Sequence, residues 1–328
     1  MQRPPENRQL SLFQPAVAAA ANAKSITWQH DPVQAFEDWL TGARHGCYGR
    51  PYNEKSSRVY ATMWGAFVRF LSKSHCTVLN ISHAHLVAFL ELQQQNNPRT
   101  RRRYAGLLDM VFRHLVKEGM RDDNPARGAV RRLVPPSRRP LPVVLSRAQE
   151  SSFLAIQTGN TSWKRLRDHA LMRLILGAGL RLSEALALQM GELHMEDSPP
   201  FVHVQGHGPY RERVVPIAEL AHEALRTWLI CRNEKVVPGA LVFPCNLEDG
   251  NALSAATAYR QTKAALALAG ITQTGHQGPQ VLRDTFCVRQ LANGKNLNLV
   301  QRWMGHEKEE TTARFLDLIA SPGGEGAA

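Results

Sequence analysis

The sequence predicts a mainly α protein in two parts: an N-terminal four-helix domain, then a mostly helical domain that carries a small antiparallel sheet. Three observations lead there. Apolar residues recur at helical spacing between Asp31 and Leu115 and again beyond Ser146. A basic, proline-rich stretch interrupts that pattern once, near the middle of the chain. Two short β-prone runs, Phe201-Val202-His203-Val204 and Arg213-Val214-Val215-Pro216-Ile217, flank a glycine-rich turn, Gln205-Gly206-His207-Gly208-Pro209.

The elements follow in order. Residues 1–30 show no hydrophobic period and read as a flexible arm. Asp31-Pro32 is an N-cap followed by proline at the first helical position, leading into Ala35, Phe36, Trp39 and Leu40. A second helix is expected from about Lys55 to Ser74, with Tyr60, Trp64, Phe67 and Leu71 on one face. Ser82 is expected to cap a third, carrying Leu86, Phe89 and Leu90. A fourth starts at Pro98 or Thr100, presents Leu107, Leu108, Val111, Phe112 and Leu115, and ends near Gly119 before Asn124-Pro125. Residues 131–142 hold four prolines and four arginines, which forbid a helix and suit an extended basic connector. Ser146 caps the first helix of the second part. The expected division is thus an arm 1–30, a helical domain 31–130, a linker 131–142, a mixed domain 143–318 and a tail 319–328.

The chain has 328 residues, enough for two domains, and a 43% hydrophobic, 21% charged composition that supports packed cores. Net charge is +12, an excess that points to a polyanion. Between residues 99 and 139, twelve Lys and Arg face four acids, a net of +8. That segment includes Arg99, Arg101, Arg102 and Arg103 at the start of the fourth helix, where free backbone N–H groups also suit phosphate. It continues into Arg131, Arg132, Arg138 and Arg139. Five scattered cysteines, with no Cys-x-x-Cys pair, build neither a disulfide framework nor a zinc site and read as reduced cytosolic thiols. No apolar run reaches the roughly 18 residues of a membrane span. The Ala-rich stretch 16–23 is too weakly hydrophobic for a signal peptide.

Five local motifs carry the chemistry. Gly179-Leu180-Arg181-Leu182-Ser183-Glu184 continues into Ala185-Leu186-Ala187-Leu188. Leu282-Arg283-Asp284-Thr285-Phe286 and Met304-Gly305-His306 follow, with His306 lying 23 residues after Arg283. Thr311-Thr312-Ala313-Arg314-Phe315 comes next, and Gly206-His207-Gly208 lies in the hairpin turn. Together these resemble the signature of the tyrosine recombinases, the lambda-integrase and Xer-like phage integrase family. The resemblance spans about residues 31–318. It implies a SAM-like core-binding domain and a catalytic-type domain clamping double-stranded DNA from opposite sides. It also implies other recombinase protomers as partners, no cofactor, no metal, no small-molecule substrate, and a cytoplasmic, nucleoid-associated location.

Transesterification of a phosphodiester needs an oxygen nucleophile, cations on the non-bridging oxygens and a proton for the leaving oxygen. By the resemblance, Arg181 and Arg283 clamp the phosphate and Glu184 orients Arg181 at helical spacing. His306 hydrogen-bonds the phosphate. Arg211 and Arg213 are expected on backbone phosphates.

Three positions depart from the family pattern. Gln280 stands where the first histidine is usual, and an amide cannot shuttle a proton. His276, four residues upstream of it, reads as a solvated loop residue. His207 stands where a lysine acid is usual and is mostly uncharged at neutral pH. Phe315 occupies the place of the nucleophilic tyrosine and has no oxygen. No tyrosine follows Tyr259, and the Thr311 and Thr312 hydroxyls have no evident base. The sequence therefore leads to a catalytically impaired, DNA-binding recombinase relative working beside an active one. The alternatives are an active recombinase with a non-standard or partner-supplied nucleophile, and a helical interaction module that has lost DNA binding.

Overall fold

The computed structural model describes residues 27–42, 52, 54–93, 98–128, 141–156, 162–206, 212–272 and 278–320. Residues 1–26 of the expected arm, 129–140 of the linker region and 321–328 of the tail lie outside the described residues. So do His207, Arg211, His276, Arg131, Arg132, Arg138 and Arg139. The chain divides into two compact units, Met1–Arg139 and Pro140–Ala328. Each has its own apolar core.

In the first unit α1 is Pro32–Gly42, α2 Glu54–Lys73, α3 His83–Leu92 and α4 Pro98–Lys117. Asp31 caps α1 by accepting from the Gln34 amide at 3.0 Å. The spacing of the aromatic residues brings their rings together. Phe36 stacks on Trp64 with centroids 5.0 Å apart, and Phe67 meets Phe89 and Phe112 edge-on. Phe36, Trp64, Phe67 and Phe112 have no exposed surface. Burial of each such side chain stabilises the unit by roughly 1.5–3 kcal/mol. The Trp64 indole N–H donates to the Pro32 carbonyl at 2.6 Å, so the ring is buried without an unpaired donor. Ser82 departs from expectation. It occupies the N-cap position of α3 in extended conformation, but its hydroxyl makes no capping bond to the helix. It lies instead 2.7 Å from His85 Nδ1.

The second unit contains α5 (Arg147–Leu154), α6 (Trp163–Ala178), α7 (Leu182–Ala187) and strands β1 (Leu193–His194), β2 (Phe201–Val204) and β3 (Arg213–Pro216). After these come α8 (His222–Glu234), α9 (Ala255–Leu268), α10 (Pro279–Ala292), α11 (Leu297–Met304), α12 (Glu309–Ala313) and α13 (Leu316–Ala320). Ser146 caps α5 in a reciprocal pair with Gln149. The central helix α6 is buried along its length from Ala170 to Ala178 and packs against α8 and α10. The sheet is antiparallel in the order β1-β2-β3, with Val202 opposite Val215 and Val204 opposite Arg213. The fold is thus mainly helical with one small antiparallel sheet, as the sequence predicts. The two-residue β1 and its pairing of Leu193 with Val202 were not foreseen. β3 stops at Pro216, one residue short of the expected run, and Ile217 enters the core.

Two turns position the site. Gly179 ends α6 with φ +63°, and a Cβ placed there would lie 2.3 Å from the Phe286 ring of α10. Only glycine satisfies both demands. Gly305 ends α11 in the same left-handed conformation, φ 59°, and delivers His306 directly after it. Among the described residues no helix is long and apolar enough to cross a membrane. Nor is any group of three or more potential metal-ligating His, Cys, Asp and Glu side chains gathered among them.

Candidate functional site: three arginines on one carboxylate

The last carbonyls of a helix have no partner within it. At the end of α11 three consecutive carbonyls each accept from a different arginine. Arg213 Nε donates to Trp303 O at 2.7 Å. Arg283 Nη2 donates to Met304 O. Arg181 Nη2 donates to Gly305 O at 2.6 Å. Cations here also complement the negative end of the helix.

The same three arginines converge on Glu184 in the first turn of α7. Arg213 binds both its oxygens, at 3.1 and 2.8 Å. Arg181 donates its side chain to Oε1 and its backbone N–H to Oε2, both at 2.7 Å. Arg283 Nη1 lies 3.8 Å from Oε2 and donates to the Gly179 carbonyl. Burial alone would raise the Glu184 pKa. The hydrogen bond and charge of Arg213, then the bonds from Arg181, outweigh burial and hold it down to about 2. Burial, then the charge of Arg181, pushes Arg283 down to about 9, which leaves it cationic at neutral pH. Three cations around one anion leave the cluster with an excess of positive charge.

Exposure separates the three. The Arg181 side chain is 40% exposed, Arg213 5% and Arg283 3%. Arg181 therefore opens to solvent, while Arg283 ties the Gly179 turn to the Met304 turn from inside. Arg213 was expected on backbone phosphate. It lies inward, because residues 213 and 215 share the buried face of β3 while Val214 faces out. That alternation was readable in the sequence, but the charge of Arg213 obscured it. The inward role of Arg213 as the chief partner of Glu184 is what the sequence reading missed.

His306 follows the α11 turn. Its Nδ1 is 2.9 Å from Thr312 Oγ1, and its ring stacks parallel to Phe315 at 10° with centroids 6.4 Å apart. Thr312 has no exposed surface and Phe315 is 4% exposed. Burial, then the charges of Arg283, Arg181 and Arg213, push His306 down to about 3. At neutral pH it is an uncharged hydrogen-bonding group. Thr312, weighed in the sequence as a hydroxyl without a base, serves as its partner. Phe315 packs into the apolar core of the second unit.

Gln280 sits in the first turn of α10 and donates its amide to Asp284 Oδ1 at 2.7 Å. The structure thus brings Arg181, Arg213, Arg283 and Glu184 into one cluster, with His306 and Phe315 beside it. Gln280 is one turn before Arg283 on the same helix. In the first unit, Arg99 and Arg103 are exposed and Arg101 and Arg102 half-buried on the first turns of α4.

Residues 144–320 match the model of the phage integrase family. Tyrosine recombinase XerD of Brucella abortus (strain 2308) is 32% identical over 235 residues, covering 68% of this chain and 72% of its own length. Tyrosine recombinase XerC of Shewanella sp. (strain ANA-3) is 30% identical over 245 residues, covering 74% and 77%. Among solved structures, the XerH site-specific recombinase in its post-cleavage complex with a palindromic difH substrate superposes with a TM-score of 0.69. It shows 22% identity and covers 92% of this chain and 91% of its own. A lambda integrase dimer bound to a COC′ core site gives 0.66 at 16% identity, covering 92% and 80%. The chain belongs to the phage integrase family, the tyrosine recombinases of site-specific recombination.

Proposed function

We propose that this chain is a double-stranded-DNA-binding member of its family that engages a recombination site alongside other protomers without cleaving DNA unaided. The observation that carries this is Phe315. The residue at the nucleophile position is a hydrocarbon ring packed in the core and stacked on His306. It offers no oxygen for a covalent bond to phosphorus. The neutral state of His306 and the amide of Gln280 supply hydrogen bonds but no general acid. His207 in place of the usual lysine belongs to the same reading.

DNA as ligand is supported by the positive cluster around Arg181, by the basic start of α4 and by the likeness to XerH bound to difH. A protomer partner is supported by the likeness to lambda integrase, a dimer on its core site. An active relative as that partner follows from the missing oxygen: a strand cut at this site needs a nucleophile from another chain. The retained geometry of Arg181, Arg283 and His306 is what favours the second reading, an active recombinase using a nucleophile other than a tyrosine here.

The test of binding starts with selection of bound sequences from a random duplex library. Affinity for the selected duplex is then measured from low to moderate salt. If about six phosphates are neutralised, the log–log slope is near −5. A slope near zero, or no enrichment of any duplex, contradicts DNA binding.

A further inference from the structure

Far from the arginine cluster in sequence, the first unit brings a cysteine, a histidine and a serine together. Cys76 lies in the segment between α2 and α3, and His85 in the first turn of α3. Cys76 Sγ is 3.6 Å from His85 Nε2, and His85 Nδ1 is 2.7 Å from Ser82 Oγ. The thiol also lies 3.3 Å from the Ser74 carbonyl, to which it donates in its resting state. A nucleophile within reach of a base, with the base held by a third group, is the arrangement that activates a side chain. Ser82 is committed to it: the hydroxyl sits at the N-cap of α3 yet faces the imidazole instead of capping the helix.

The segment is also held in place. The Arg121 guanidinium, with its side chain 7% exposed, donates to the carbonyls of Val78, Leu79 and Ile81 and lies over the Phe112 ring. Asn80 accepts from the Thr77 amide at 2.7 Å. Cys76 itself is half-buried, with part of its surface against the apolar core of the unit. Small reagents reach such a sulfur more readily than bulky ones. Cys287 is the opposite case: fully buried, its thiol is pushed up to about 12 by burial and then by Asp284, and it stays protonated.

We propose that Cys76, His85 and Ser82 form a thiol-modification site that reacts with small hydroperoxides. With Nδ1–H donating to Ser82, His85 Nε2 presents its lone pair to the sulfur and takes the thiol proton. The thiolate attacks one peroxide oxygen, so that an S–O bond forms as the O–O bond breaks. The leaving hydroxide (an alkoxide from an alkyl hydroperoxide attacked at its terminal oxygen) recovers the proton from the imidazolium and departs as water or alcohol. Sulfur is oxidised by two electrons, the peroxide is reduced, and Cys76 becomes a sulfenic acid.

The test uses the full-length reduced protein, a limiting dose of hydrogen peroxide and dimedone as the sulfenic-acid trap. The adduct is quantified at each cysteine by peptide mass spectrometry. Cys231 and Cys245, which are also half-buried, are the internal comparison. Cys76 is expected to be trapped about tenfold faster than either, because it has an imidazole nitrogen within 3.6 Å to take its proton as the sulfur attacks. His85→Gln should bring it down to their rate. Ser82→Ala, at an exposed position, should slow it as well and serves as the second variant should His85→Gln fail to fold. Trapping of Cys76 no faster than of Cys231 and Cys245 would overturn the proposal. So would a Cys76 rate unchanged in the folded variants.

Discussion

Arg181 and Arg283 carry the same guanidinium to opposite environments, one 40% exposed and the other 3%. Their substitution should differ accordingly. Arg283→Ala strands two buried carbonyls, Gly179 O and Met304 O, and should destabilise the protein by about 2–5 kcal/mol. Arg181→Ala should cost less, about 1 kcal/mol in the same urea titration, because its side chain is 40% exposed and water can replace part of what it bonds. Equal losses would mean that exposure does not separate the two arginines. Glu184 adds a pH dependence. Its folded pKa of about 2 lies below the unfolded value of 4.5. Its stabilisation is therefore complete above about pH 4.5 and is lost as pH falls toward 2. A Glu184→Gln variant should be less stable at neutral pH, and its stability should fall less between pH 4.5 and 2 than that of the unmodified protein. Parallel stability curves for the two proteins would contradict the ion cluster. At this scale the motif residues were legible because their types and spacings are characteristic. The role of Arg213 was not, because a charged residue on the buried face of a strand needs a partner, and Glu184 is 29 residues away in sequence.

The elements were largely legible where a periodic apolar face or a cap announced them. The helices α1–α4 of the first unit, the Ser146 cap of α5 and the β2–β3 pairing belong to this group. The two-residue β1 could not be seen, since it has no period of its own and exists through its pairing with β2. Ser82 misled because a side-chain partner outcompeted the backbone for its hydroxyl. The joint between α6 and α7 is the element-scale feature most exposed to test. Gly179→Ala forces a Cβ into the Phe286 ring as well as a left-handed backbone, whereas Gly294 shares the conformation, φ +74°, with nothing within 4 Å. Gly294→Ala should cost about 1 kcal/mol, and Gly179→Ala about 2–4 kcal/mol once overpacking is added. Thermal melts of the two variants decide this. Similar losses would mean that α10 yields at Phe286 and that the turn is less constrained than its contacts imply.

At the scale of the whole molecule the chain divides at Arg139 and Pro140, inside the Pro- and Arg-rich stretch that separates the two hydrophobic patterns. Each part is large enough to bury an aromatic or aliphatic core of its own. Family membership rests on the match over residues 144–320 and on a relative covering 68% of the chain, whereas the chemistry turns on a few atoms. In the function proposed for this chain, the arginines around Glu184 are the frame of a phosphate site. On the proposed reading Phe315 lacks the oxygen that would attack within it; His306 stands neutral beside the ring. The most direct measurement is a trapping assay on the selected duplex carrying a nick beside each candidate phosphodiester, whose leaving group is an ordinary 5′-oxygen that needs a proton. It compares the unmodified protein with Phe315→Tyr. On the proposed reading the unmodified protein should form no covalent protein–DNA adduct, for want of a nucleophilic oxygen at Phe315, and Phe315→Tyr no more than a trace, for want of general acid assistance typically worth about 10²–10⁴-fold. Adduct formed by the unmodified protein, or full activity restored by Phe315→Tyr alone, would contradict the account.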